Sequence, residues 1–129
     1  FMRGRKGSSL EEKTKRKKER MKLLTKAIES KIPTLYATDG QKEKTAICKF
    51  FTPDANFTWY VVEGKKETNG DWTFFGLVDA GSGSEWAEKE WGYFTLGQLQ
   101  SVRGKMGLPV ERDRWFEGVK IDNDGPIQG

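Results

Sequence analysis

Apolar positions concentrate in three strand-like runs in the middle of the chain: Thr45–Phe51, Phe57–Glu63 and Trp72–Asp79. Turn residues bound them, with Asp39-Gly40 before the first, Pro53-Asp54 and Gly64 around the second, and Asn69-Gly70 before the third. The links are short and polar, which favours an antiparallel meander over parallel crossovers of a dozen or more residues. Phe57, Trp59 and Val61 share one face of the second strand, and Tyr60 and Val62 the other. In the third, Trp72, Phe74 and Val78 oppose Phe75 and Leu77. Both faces are apolar, so the sheet needs cover on both sides. Gly76 marks either a bulge with close backbone approach or the space a neighbouring ring requires. A Gly-Ser link at 81–84 leads to a fourth strand, Trp91–Thr95. Thr95 then caps a short helix, Leu96–Val102, and Val110–Phe116 reads as another short helix or a strand-like turn.

The period changes to helical near the front of the chain. Ser9-Leu10-Glu11-Glu12 fits a capping box and Pro33 a stop, predicting a helix from about Leu10 to Ser30. Met21, Leu24 and Ile28, with Leu23 and Ala27, form an apolar stripe on its second half only, so that half docks and the first half projects. The expected fold class is α+β: a small antiparallel meander of three to four strands packed by helices and preceded by a long basic N-terminal helix. The expected organisation is a basic helical extension over residues 1–31, a compact α+β domain over 32–121 and a flexible tail over 122–129.

Charge sharpens this division. Residues 1–31 carry twelve Lys or Arg against four Glu, while the remainder carries 11 basic and 15 acidic residues. A basic arm on a mildly acidic body localises electrostatic contact to the arm. Like charges at helical spacing repel, and a polyanion relieves that repulsion. Lys13, Lys15, Arg16, Lys17, Lys18, Arg20 and Lys22 are therefore the candidate nucleic-acid contacts, acting on phosphates without reading sequence. A solvated face and an acidic protein partner are the competing readings. The 129 residues suit one core, and five Trp, eight Phe and three Tyr supply its packing. Few cations interleave with the rings, which favours core packing over a base-stacking platform.

Candidate chemistry is sparse. With no His, the usual general base and metal ligand are missing, and Cys48 sits in an apolar strand as an inert thiol. Phosphate-binding glycine loops and metal-ligand spacings are absent from the sequence, and no cofactor is expected. Glu90, Tyr93, Arg103, Glu111, Arg112 and Asp113 form the one dense constellation. Paired carboxylates there suit general acid–base work or a divalent cation, yet alternating Glu-Arg-Asp-Arg equally describes a structural ion-pair network. No run approaches the roughly 20 apolar residues of a membrane span, so a cytoplasmic protein without a membrane partner is expected.

Leu35-Tyr36, Phe50-Phe51-Thr52-Pro53, Thr58-Trp59-Tyr60, Thr73–Val78, Gly92-Tyr93-Phe94, Leu99, Ser101–Gly104, Gly107–Asp113 and Phe116 together resemble the plasmid- and phage-borne domain of unknown function 2958 family. The resemblance covers about Pro33 to Phe116 and leaves the basic helix outside it. It implies an accessory protein of mobile elements with a role in DNA transactions or in countering host defence, and it carries no catalytic residues. The leading expectation is a non-enzymatic protein of a phage or mobile genetic element that binds nucleic acid through the basic helix. Two alternatives stand beside it: a protein-binding inhibitor or adaptor of a host enzyme, and a carboxylate-dependent hydrolase or nuclease using Glu90, Glu111 and Asp113.

Overall fold

A computed structural model describes residues 22–81 and 89–127. Eight strands and two short helices follow in chain order: α1 (Lys26–Glu29), β1 (Lys44–Ala46), β2 (Cys48–Phe51), β3 (Thr58–Lys66), β4 (Trp72–Asp79), β5 (Lys89–Thr95), α2 (Leu96–Ser101), β6 (Glu111–Arg112), β7 (Val119–Asp122) and β8 (Gly125–Pro126). They build a five-stranded sheet in the order β5-β4-β3-β2-β6 and a three-stranded sheet in the order β1-β7-β8, with every pairing antiparallel.

This corrects the expected α+β class. The described protein is mostly β, in two sheets, and its helices span only four and six residues. A long helix ending at Ser30 is likewise overturned where it can be seen. Thr25 is extended (φ −112°, ψ 161°), and its hydroxyl accepts from the Ile28 amide at 3.2 Å, so a new helical turn begins there. Burial of Leu23 and Leu24 against the sheet outweighs helix propensity in this stretch. The rest of that expected helix, residues 10–21, lies outside the described residues.

The meander itself is present as β2, β3 and β4, extended by β5. Thr45–Phe51 does not stay one strand, however. It breaks at Ile47, so that β1 joins the small sheet while β2 joins the large one. Val110–Phe116 supplies β6, which pairs with the free side of β2 through Phe50–Arg112 and Phe51–Glu111. Leu23 and Leu24 enter the core, and Gly125–Pro126 pairs with β7.

Each face of the large sheet has its own cover. On one, Phe50, Trp59, Val61, Trp72, Phe74 and Phe94 pack beneath Leu23, Leu24, Leu99 and Val110. Phe74 is the hub, with ring centroids 6.2 Å from Phe50 and 5.7 Å from Phe94. Burying a ring of this size stabilises by about 2–3 kcal/mol. On the other face, Tyr60, Val62 and Leu77 meet Ala46 and Ile121 of the small sheet.

One loop is held by a single carboxylate. Asp54, in the turn after β2, accepts from the amides of Met106 (2.6 Å) and Leu108 (3.3 Å), fixing the loop that Arg103 and Pro109 close by a β-bridge. A Cβ at Gly104 would overlap Asp54 Oδ1. Asp54→Ala is expected to destabilise by about 2 kcal/mol, the range for hydrogen bonds to a charged group. Gly104→Ala should cost stability in the native protein but much less on the Asp54→Ala background. Thermal denaturation of the four-member cycle measures that coupling, and additive losses would contradict it.

Candidate functional site

The basic run meets the body at a defined place. Leu23 and Leu24 are buried, and the Arg112 guanidinium on β6 donates to the carbonyl of Lys22. Lys22 itself is exposed. It shares an open groove of about 730 Å³ with Lys66 and Arg103, and Glu29 and Glu111 also line it. Arg103 donates to the carbonyls of Gln100 and Val102, both at 2.8 Å, at the C-terminal end of α2.

A short way along the chain from β6, Trp115 is the most exposed large apolar residue described, at 92%. It follows exposed Arg114 and lines a shallow groove with Lys49, Phe51 and Arg112. The Asp113 carboxylate accepts from the Trp115 amide at 3.0 Å and lies 3.9 Å from the Lys49 ammonium. The β6 edge thus joins the foot of the basic run, further cations and a ring with both faces free. Of the other candidate contacts, Lys13, Lys15, Arg16, Lys17, Lys18 and Arg20 lie outside the described residues. Trp115 was not singled out from sequence. Its position directly after Arg114 is the signal that marks it.

The polar constellation is not one site. Glu90 and Tyr93 lie on β5 and Glu111 and Arg112 on β6, the two opposite edges of the large sheet. Four strand spacings separate these edges, about 19 Å. Glu111 and Asp113 therefore lie apart from Glu90, and among the described residues no group of three His, Cys, Asp or Glu is arranged to hold a metal ion.

A second cluster, unforeseen in the sequence, surrounds Glu63. The β3–β4 register shifts between Val61 and Glu63, leaving Val62 as a bulge. Strict alternation would put Glu63 beside Trp59 and Val61. The bulge instead pairs it with Phe75, on the face that carries Trp91 and Tyr93. There the carboxylate is only 2% exposed and accepts from the amides of Tyr36 (2.7 Å) and Thr38 (2.8 Å) and from the Thr38 hydroxyl. Lys44 donates to the Thr38 carbonyl and hydroxyl at 2.6 and 3.0 Å and stands 5.9 Å from the ring centroids of both Phe75 and Trp91. Burial alone would raise the Glu63 pKa, but the hydrogen bonds from Thr38 and Tyr36 and the charge of Lys44 outweigh it, and the net displacement is downward.

The same clamp shapes Tyr36. Its φ of +72° is the left-handed region, which costs a side-chain-bearing residue about 1–3 kcal/mol and persists only where surroundings hold it. Tyr36 is 63% exposed and Tyr93 56%. Desolvation, the neighbouring Tyr36 phenol, and the charges of Glu63 and Asp39 all push the Tyr93 phenol above its ordinary value. Among the described residues, neither cluster offers a poised nucleophile. Tyr93 stays protonated, and burial drives the Cys48 thiol up to about 12 despite the opposing charge of Arg112.

Among the described residues no helix is long and apolar enough to cross a membrane. No curated protein and no solved structure matches the chain. A family-level comparison does match, and it begins at residue 15, so it takes in most of the basic run that the residue-by-residue resemblance left out. Over residues 15–121, a span that includes β1 to β6 and both clusters, the chain belongs to the DUF2958 family, described as a protein of unknown function.

Proposed function

We propose that this is a non-enzymatic nucleic-acid-binding protein whose basic segment, Lys13 to Lys22, neutralises phosphates while the β body anchors it. One observation carries the reading. Lys22, which ends that segment, is held through its carbonyl by Arg112 of β6 and shares a groove with Lys66 and Arg103, and exposed Arg114 and Trp115 follow β6 along the chain. Cations tracking a backbone with a ring for stacking are the parts a nucleic-acid surface uses. The resemblance noted in the sequence suits an accessory role in the DNA transactions of a phage or mobile element, in the cytoplasm of its host.

A salt titration of oligonucleotide binding by fluorescence anisotropy tests this. If six cations meet phosphates, the log–log slope is about −4 for a single strand and about −5 for a duplex. Replacing Lys15, Arg16, Lys17 and Lys18 with Gln should flatten the slope by about 3 and remove most of the salt-dependent part of the affinity. A slope near zero, or one unchanged by the fourfold replacement, removes the proposal. A protein partner that co-purifies after nuclease treatment, in place of DNA or RNA, would support the inhibitor or adaptor reading instead.

A further inference from the structure

We infer that Tyr36 and Tyr93 form a stacking site for an unpaired nucleobase, a site separate from the β6 edge and recognising the base rather than the phosphate. It rests on the nucleic-acid reading and names the class of ligand: a single strand, whose bases are free to splay onto protein rings.

The rings are placed for this. Both are more than half exposed, and Phe75 backs Tyr93 with centroids 5.1 Å apart. Phe75 in turn stacks on Trp91 at 5.7 Å and an interplanar angle of 10°. Neither tyrosine belongs to the two buried clusters of the core. Tyr36 is held in its left-handed conformation by a buried carboxylate that accepts its amide. A loop residue fixed at such conformational cost presents its ring in one orientation, and backbone strain of this kind concentrates at ligand sites.

Charge selects among ligands. Glu63 and Asp39 act on Tyr93, which disfavours a phosphate against these rings. Lys44 beside Phe75 and Trp91 offsets Glu63 and disfavours an incoming cation. A neutral planar ring with hydrogen-bond acceptors remains, and the protonated phenols supply the donors. Sheet geometry puts this site about 19 Å from the β6 edge, far enough for one strand to reach both at different nucleotides.

The test compares oligothymidine with an abasic oligonucleotide of equal length, at low salt and at salt high enough to suppress phosphate contacts. At high salt the protein should keep a residual affinity for oligothymidine and none for the abasic strand. Tyr93→Leu and Tyr36→Leu should each lower that residual affinity about 5- to 150-fold, the span of base–aromatic stacking, whereas Tyr93→Phe keeps most of it. Equal high-salt binding of both strands, or unaltered affinity in a folded Tyr93→Leu protein, overturns the inference. Loss of the low-salt component alone overturns the phosphate reading and leaves the base site standing.

Discussion

Alanine at position 76 is expected to cost the protein about 3 kcal/mol, at the upper end of the range for overpacking. Gly76 sits in the middle of the large sheet, opposite Val61 on one side and Gly92 on the other. A Cβ there would overlap the Tyr60 carbonyl oxygen and lie 2.8 Å from its carbon and 3.2 Å from the Val61 Cα. Those atoms are backbone of the adjoining strand, so no rotamer change relieves the contact. The strand pair would have to separate exactly where the Val62 bulge begins, which would also disturb Glu63 and the tyrosine site. A domain of this kind is stable by only about 5–15 kcal/mol, so the loss is large. Urea denaturation measures it: a midpoint lowered by 1 M or more is expected, and an unchanged midpoint would show that the two strands can part freely.

Glu63→Ala should cost about 3 kcal/mol as well, for a different reason. Removing the carboxylate leaves the amides of Tyr36 and Thr38 without their acceptor and Lys44 without its counter-charge, the expensive way to break a buried arrangement. The pH dependence identifies the group. Because the folded-state pKa of Glu63 lies below its ordinary value, its stabilisation is complete above that ordinary value and disappears as pH falls through the folded-state one. The native protein should therefore lose stability on acidification in a range where Glu63→Ala changes less. Parallel stability-versus-pH curves for the two proteins would refute the clamp. Tyr36 provides a second readout, since losing its acceptor frees it to leave the left-handed region and should quench or shift the tyrosine fluorescence.

What could be read in advance follows the range of the forces involved. The β4 limits, Trp72–Asp79, and the Thr95 cap of α2 depend on neighbours a few residues away, and both were legible. The capping hydroxyl accepts from Gln98 at 3.0 Å, as its type and spacing suggest. The two-sided apolar character of β3 and β4 also announced cover on both faces. By contrast, the break at Ile47 depends on β7, far along the chain, competing for β1. The expected helix breaks at Thr25 because nothing local reveals that Leu23 and Leu24 are drawn to the sheet. The Glu63 cluster stayed hidden for a sharper reason: a one-residue bulge reverses which face every later side chain occupies. Alternation alone placed Glu63 at the end of a strand and gave it no role. Glu90 and Tyr93 could be grouped with Glu111 in the sequence only because strand order, which sets them on opposite edges, is a non-local property.

The partition of Lys44–Phe51 between two sheets has a consequence for how the chain is made. Strand β1 finds its partner only in Val119–Asp122, about seventy residues later, whereas β2, β3 and β4 pair with immediate successors. During synthesis the hairpins therefore assemble first, and Tyr60, Val62 and Leu77 face water until Ile121 emerges. That interval is when the nascent chain is most prone to stick to its neighbours, and truncation before residue 119 would make it permanent.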